Sequence, residues 1–411
     1  MKNSKYYPWL VVALLWIVAL LNYMDRQMLA TMRPSMESDI PELVSGENFG
    51  RLMAVFLWIY ALMSPVSGII ADKLNRKWLI IGSLFVWSAV TYAMGYAKTY
   101  DEIYWLRAIM GVSEALYIPA GLSLIADYHQ QKTRSLAIGI HMTGLYVGSA
   151  LGGFGATIAA RYSWHSTFHH FGIIGVVYSV ILVFFLYEKK TKIFDPEFNK
   201  THEKAPLLKG LALLFTNISF WVILFYFAII SLPGWATKNW LPTLFSDNLG
   251  ISMDQAGPLA TITISFSSLL GVVFGGILSD KWVQKNIKGR IYTSAIGLSL
   301  TIPALLLIGF GHSLFHVVGA VLCFGIGYGM FDANNMPIIC QFVSSKYRAT
   351  AYGILNMTGV GCGALVTSLL GKSADAGNLG YGFSLMAGIV LIALITQISF
   401  LRPKVNDFEG A

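Results

Sequence analysis

The sequence predicts an all-α polytopic membrane protein: twelve transmembrane helices in two six-helix bundles, with both termini in the cytoplasm. Three observations carry this. Apolar stretches of about 20 residues recur along the chain, the length that crosses about 30 Å of hydrocarbon. The basic residues fall almost entirely on one side of the membrane when the stretches are threaded in order. The second half of the chain repeats motifs of the first.

Composition sets the first limit. Of 411 residues, 55% are hydrophobic and only 12% charged, with a mean hydropathy of +0.61. A soluble core of this size cannot hide so much apolar surface. Lipid removes that need, and because it offers no hydrogen bonds to an open backbone, each stretch must be helical. The first apolar run is read as a span and not as a cleaved leader, since Asn22, Asp25 and Arg26 interrupt its core. The first six spans are placed at Trp9–Met28, Leu52–Ile70, Trp78–Tyr96, Tyr104–Ala126, Ser135–Ala159 and Thr167–Tyr187. The second six are Asn217–Leu244, Leu259–Leu278, Ile291–Phe310, Leu314–Val343, Ala349–Leu370 and Phe383–Phe400. Residues 1–187 form the N-terminal bundle, 188–210 a polar, Lys-rich cytoplasmic linker, and 211–411 the C-terminal bundle.

Of the 29 Lys and Arg residues, 21 lie on the side of the termini, five on the opposite side and three within spans. That asymmetry places the basic side in the cytoplasm. It also accounts for the formal net charge of +8, which marks loops and not a nucleic-acid surface. Cys323, Cys340 and Cys362 show neither metal spacing nor a disulfide pattern and are read as buried, inert thiols. No nucleophile–base array, phosphate-cradling loop or metal cluster stands out, so neither an enzyme nor a cofactor is expected.

The repeat is explicit. Gly68-Ile-Ile-Ala-Asp72-Lys73 returns as Gly276-Ile-Leu-Ser-Asp280-Lys281, 208 positions later. Arg134-Ser-Leu-Ala-Ile-Gly139 returns as Arg348-Ala-Thr-Ala-Tyr-Gly353, 214 positions later, and Met-Thr-Gly follows each. Duplicated halves are the architecture of rocking carriers with a site between them.

Six charged residues lie within spans: Asp25, Arg26, Arg107, Glu114, Lys238 and Asp332. A charge at the bilayer centre costs about 2.5–3.5 kcal/mol on insertion scales, so such residues face the bundle interior or a water-filled cavity. Arg107 and Glu114 are seven residues apart, two helical turns and about 10.5 Å of rise, on nearly one face. Asp25 and Arg26 fall in the outer part of span one. These four groups read either as a fixed structural ion network or as transport chemistry, in which a carboxylate poised between desolvation and a nearby arginine exchanges protons; two carboxylates and two arginines in one half favour the second.

Gly68 to Lys77 (G-I-I-A-D-K-L-N-R-K) resembles the loop 2–3 signature of the major facilitator superfamily, and span order and repeat extend the resemblance over the whole chain. The resemblance implies cytoplasmic gating by Gly68, Asp72, Arg76, Lys77 and Arg134, and by Asp280 and Arg348 in the second half, with Asp72 latching the inner side when it closes. Asn22-Tyr-Met-Asp-Arg26, Leu106-Arg107 to Glu114, and Trp58-Ile-Tyr60 resemble the anion:cation symporter branch, which includes bacterial sugar-acid carriers. That likeness implies proton coupling by Asp25 and Glu114, and substrate binding by Arg26, Arg107, Trp58 and Tyr60. The Spinster branch of lysolipid and sphingolipid carriers shares the span-one motif and Asn75-Arg76-Lys77.

The C-terminal half supplies Trp235, Lys238, Asn239, Asp332, Asn335 and Asn356, hydrogen-bonding groups beside aromatics that suit a small polyhydroxylated ligand. Lys238 reads equally as lining the site or as snorkelling to the outer surface, and His141 as lining the cavity or as packing. Gly144, Gly148 and Gly152 recur every fourth residue and permit close helix contact. The expected function is proton-coupled symport of a small organic anion, such as a sugar acid, by a monomer in the bacterial inner membrane. The alternatives are a Spinster-like lipid carrier and a nutrient sensor with a carrier fold.

Overall fold

The structure is a computed structural model that describes residues 6–129, 131–188, 214–343 and 348–403, apart from the side chains of residues 69, 72, 73, 131, 132, 135, 348 and 349. The linker, but for Glu188, lies outside the described residues. The first half of the chain contributes α1 (Tyr7–Met36), α2 (Gly46–Lys73), α3 (Arg76–Met94), α4 (Tyr100–Ala115), α5 (Tyr117–Tyr128), α6 (Gln131–Gly152), α7 (Gly155–Tyr162) and α8 (Trp164–Phe185). The second half contributes α9 (Ile218–Leu249), α10 (Met253–Val283), α11 (Gly289–Phe310), α12 (Leu314–Asp332), α13 (Asn335–Phe342), α14 (Arg348–Asp375) and α15 (Leu379–Phe400). By length and composition these make up to twelve spans, three of them broken: α4 with α5, α6 with α7, and α12 with α13.

Local chemistry sets many of the ends. Ser45, Asn75, Ser163, Asn217 and Ser313 accept backbone N–H groups at helix starts, and Thr99 with Glu102 forms a full capping box. Gly250, at φ +61°, ends α9 in the left-handed conformation that a side chain resists. Span five bends by 42° across Gly153 and Phe154. A Cβ on Gly153 would collide with Thr261 of α10, so the bend and the missing side chain together let the two halves touch there.

Packing repeats between the halves. In the first, α6 lies along α1, α4 against α2 and α8 against α3; in the second, α14 lies along α9, α12 against α10 and α15 against α11. Gly144, Gly148 and Gly152 seat on the backbone of Trp16, Leu20 and Met24, and in the second half Gly359 and Gly363 meet Phe227 and Trp235. The halves join chiefly where α2 meets α14 and α6 meets α10.

Two expectations change here. The first span does not stop at Met28 but continues to Met36, so Asp25 and Arg26 lie well inside the helix and not near its outer end. The cysteines are not fully buried: Cys323 is exposed, while Cys340 and Cys362 are half-buried. Cys323 sits on a span that is apolar all round, where a small thiol tolerates an outward face.

Candidate functional site

The end of the molecule where α1 begins is called the near end, and its opposite the far end. At the far end the halves are locked together. Asp375, closing α14, accepts hydrogen bonds from Ser45 Oγ (3.0 Å) and from the backbone N–H groups of Gly46 (2.5 Å) and Glu47 (2.9 Å) at the start of α2. Lys372 reaches Glu47 at 3.5 Å, the Phe49 and Trp240 rings meet edge to face, and Thr157 and Thr261 donate across to Asp254 and Ala150 carbonyls. Toward the near end one bond crosses, Asn356 Nδ2 to Ser64 Oγ at 2.7 Å. Beyond it, no hydrogen bond or ion pair joins the halves among the described residues. On this side Cβ atoms on Gly68 of α2 and Gly353 of α14 would meet open space, and Tyr352 is exposed, which marks a cleft between the halves at the near end.

Asp332 shows how deep that opening runs. It lies within a span yet is exposed, although Tyr23, Tyr146, Tyr328, Tyr352 and Lys238 surround it. Its Oδ1 accepts from Asn335 at 3.1 Å. Lys238 Nζ rests 4.7 Å from the Trp235 ring and 5.7 Å from that of Tyr23, so it points inward and does not snorkel. Gln27 Nε2 donates to the Lys238 carbonyl at 2.8 Å and fixes α1 against α9 at this level.

Across the cleft stands Arg26. Its guanidinium is framed by Tyr23, Phe56 and Tyr60, with ring centroids at 5.0, 4.8 and 4.7 Å. Its Nε donates to Glu114 Oε2 at 2.6 Å, and Asn22 donates to the same oxygen at 3.0 Å. Glu114 is wholly buried and its Oε1 has no partner; Arg26 keeps 11% of its side chain accessible, with Nη2 unpartnered. The ion pair thus sits at the wall of the cleft, with the arginine outermost. Asp25 is buried behind it, accepting from Thr91 Oγ1 at 3.3 Å.

Three site expectations need correction. Arg107 is 2% exposed, stacks 4.5 Å over Phe56 and turns Nη1 toward the Met110 sulfur at 3.1 Å, so it cannot meet a substrate in this state. The one-face spacing with Glu114 is real, but the Phe56 ring stands between Arg107 and the cleft. His141 is fully buried against Tyr117 and takes no part in the lining. Asn239 is spent on Thr367 Oγ1 at 2.8 Å, tying α9 to α14. Asn335 and Asn356 serve Asp332 and Ser64 as described, Tyr60 and Trp235 serve as ring platforms, and Trp58, 45% exposed, borders Gly361 of the second half.

Four of the residues expected to gate have partners within their own halves. Arg76 pairs with Asp127. Lys77 donates to the Val183 carbonyl at 2.7 Å, and Arg134 to those of Ala126 and His129. Asp280 stands 3.8 Å from Arg290. A Cβ on Gly68 would meet open space. The side chains of Asp72 and Arg348 lie outside the described residues.

Sequence reasoning missed two features. Span four breaks at Leu116, directly after Glu114 and Ala115, and span ten breaks at Ala333 and Asn334, directly after Asp332. Both carboxylates therefore stand at interrupted helices, the usual place for binding groups in carriers. The tyrosine ring of Tyr23, Tyr146, Tyr328 and Tyr352 was also missed; the spacing of tyrosines within apolar runs carries no signal of which face they take.

Up to twelve spans among the described residues, a repeat in packing and a polar cleft between halves fit a membrane transporter and not an enzyme. The chain belongs to the Major Facilitator Superfamily, whose family model matches residues 15–367. It is a multi-pass protein of the bacterial inner membrane. It is similar to the hexuronate transporter of Bacillus subtilis (24% identity, covering 97% of this chain and 96% of that one). It is also similar to the "Probable galactarate/D-glucarate transporter" of Escherichia coli (23%, covering 100% and 91%). Among solved structures, a bacterial homologue of the human lysosomal transporter Spinster, in an inward-facing and occupied conformation, shares the fold. Its TM-score is 0.79 at 20% identity, with 98% of this chain and 99% of that one covered.

Proposed function

We propose that the protein imports a small organic anion, a sugar acid or acidic sugar, in symport with protons by alternating access. The observation that carries the reading is the Arg26–Glu114 pair at the cleft wall. While Glu114 is ionised it holds the guanidinium. A proton on Glu114 cancels that attraction, and Arg26, already cradled by three rings, is freed for a substrate carboxylate. Binding and protonation then favour each other, which is the requirement for coupled transport. Asp25 and Arg107, buried behind the pair, set its field, and Asp25 supplies a second protonatable group. Relatives named as hexuronate and galactarate/D-glucarate transporters support the substrate class.

The bias of basic residues supports a cytoplasmic near end, which makes this an inward-open state with the far end as the outer gate in the proposed cycle. At about 150 mV one net inward charge supplies about 3.5 kcal/mol, enough for a gradient of a few hundred-fold. The charged groups in the cleft argue against a lipid carrier, whose path would be more uniformly apolar.

The test is uptake into proteoliposomes with a panel of hexonates, hexuronates, hexarates, neutral sugars and lysolipids, with and without a pH gradient. Accumulation of an acid driven by the gradient is expected, and Glu114→Gln should abolish accumulation while sparing exchange. Accumulation that survives Glu114→Gln removes this residue from coupling; movement of lysolipids alone removes the anion reading.

A further inference from the structure

The internal repeat reaches the charges themselves. Arg26 in span one and Lys238 in span seven are 212 positions apart; Glu114 in span four and Asp332 in span ten are 218 apart. Both offsets exceed the 208 and 214 of the loop motifs by four, one helical turn, but local landmarks share them: Gly144 packs on Ala19 as Gly359, in the second Met-Thr-Gly, packs on Ser231, 212 positions later, and Pro119 and Pro337, which follow the two breaks, are 218 apart. Each cation lies within the first helix of its half, and each carboxylate precedes the break in the fourth span of its half. The two pairs are thus repeat-related copies facing one cleft.

Their geometry is closely set. Tyr23 carries both cations on its ring, Arg26 at 5.0 Å and Lys238 at 5.7 Å, so the two charges can be no farther apart than the sum of those distances. The bond from Gln27, next to Arg26, to the Lys238 carbonyl holds the two helices at this separation. Asp332 is open to the cleft, held by Asn335, and makes no ion pair with Lys238 closer than 4.0 Å among the described residues, unlike Glu114 with Arg26. The Lys238 ammonium, resting between the Trp235 and Tyr23 rings, thus holds no ion pair among the described residues.

We infer that Lys238 and Asp332 form a second anion half-site, repeat-related to Arg26 and Glu114, and that the cavity is built for a small polyhydroxylated molecule with an acidic group at each end. One terminal carboxylate meets the Arg26 guanidinium from the first half. The other meets the Lys238 ammonium from the second half, and Asp332 is the resident counter-charge that it replaces. A mono-acid engages one half-site and leaves the other with its own carboxylate. A diacid ties the halves together through both ends. This rests on the anion reading above and specifies its substrate class. Losing one charge-assisted contact weakens binding by about 10–100-fold.

The test is calorimetric titration of the purified full-length carrier with a hexarate and a hexuronate at matched pH. The hexarate should bind at least about ten-fold tighter. Lys238→Gln should remove the preference, weakening hexarate binding at least about ten-fold more than hexuronate binding, and Lys238→Arg should keep it. Asp332→Asn should retain hexarate binding and reduce its dependence on pH, which settles the matter if Lys238→Gln does not fold. Equal binding of the two acids by the wild type, equal weakening of both by Lys238→Gln, or an unchanged hexarate pH dependence in Asp332→Asn overturns the inference. If hexuronate binds and accumulates but the preference is absent, only the second half-site falls; if no acid binds at any pH, the anion reading falls with it.

Discussion

Asp375→Asn should shift the carrier away from the state seen here. The Asp375 carboxylate takes three hydrogen bonds from Ser45, Gly46 and Glu47, so one half of the molecule caps the N-terminus of a helix in the other. A negative charge at a helix N-terminus is worth about 0.3–1 kcal/mol at an exposed surface. Asparagine keeps the shape and one acceptor but loses the charge. Because Asp375 is exposed and water replaces its partners when the far end opens, the net loss is about 1 kcal/mol, a shift of roughly five-fold in the population ratio. The readout is thiol accessibility. With Cys323, Cys340 and Cys362 replaced, a single cysteine at Tyr352, a cleft residue 41% exposed, reports which end is open to an impermeant reagent. Asp375→Asn should raise labelling from the far side by about five-fold and lower it from the near side. The Lys372–Glu47 pair, at 3.5 Å on the same surface, is the control: exposed pairs contribute about 0–1 kcal/mol, so Lys372→Gln should change labelling by less than about two-fold. Unchanged rates in Asp375→Asn would refute the idea that this cap closes the outer gate.

Two further outcomes follow from the packing. Arg26→Lys keeps the charge but loses the planar guanidinium that spans three rings and Glu114, so uptake should fall by about 10–100-fold in kcat/KM while the protein remains folded; wild-type uptake would show that any cation serves. Gly148→Val drives a side chain into the Leu20 backbone and should cost about 1–3 kcal/mol, read as a lower Tm in detergent, whereas Gly139→Ala, facing open space, should leave Tm unchanged.

Much of this was legible in the sequence because the bilayer leaves few options. Span number follows from hydrophobic length, and the repeat from paired motifs. Asp25, Arg26, Arg107, Glu114, Lys238 and Asp332 declare themselves because charge within a membrane needs a reason. What the sequence hid is rotation about each helix axis. A span that is apolar all round gives no preferred face, so nothing local distinguishes Arg26, which borders the cleft, from Arg107, which Phe56 screens. His141 was ambiguous and Asn239 was assigned to the ligand for the same reason: a polar residue within a span suits a cavity wall or a helix contact equally, and the neighbour across the contact decides. For Asn239 that neighbour is Thr367, 128 residues away. The breaks after Glu114 and Asp332 did carry a signal, which went unused: Pro119 and Pro337 have no N–H to give the carbonyls of Ala115 and Ala333, so each helix is interrupted one turn before its proline.

The Arg26–Glu114 pair admits one more test, which separates holding helices together from moving protons. Removing one partner of a buried ion pair leaves an uncompensated charge and costs about 3–5 kcal/mol, whereas replacing both by neutral groups of similar size is often close to neutral. Arg26→Met alone should therefore destabilise the carrier strongly, since Glu114 is wholly buried and, among the described residues, Asn22 is the one other donor to it. Adding Glu114→Gln should recover most of that loss, a coupling visible as non-additive Tm values in a double-mutant cycle. Transport should not return with stability, because the double variant has neither the cation for the substrate nor the carboxylate for the proton. Additive stability losses would mean that the two groups do not act as a pair. A double variant that is stable and still accumulates substrate against its gradient would show that the pair is structural glue and that coupling resides elsewhere.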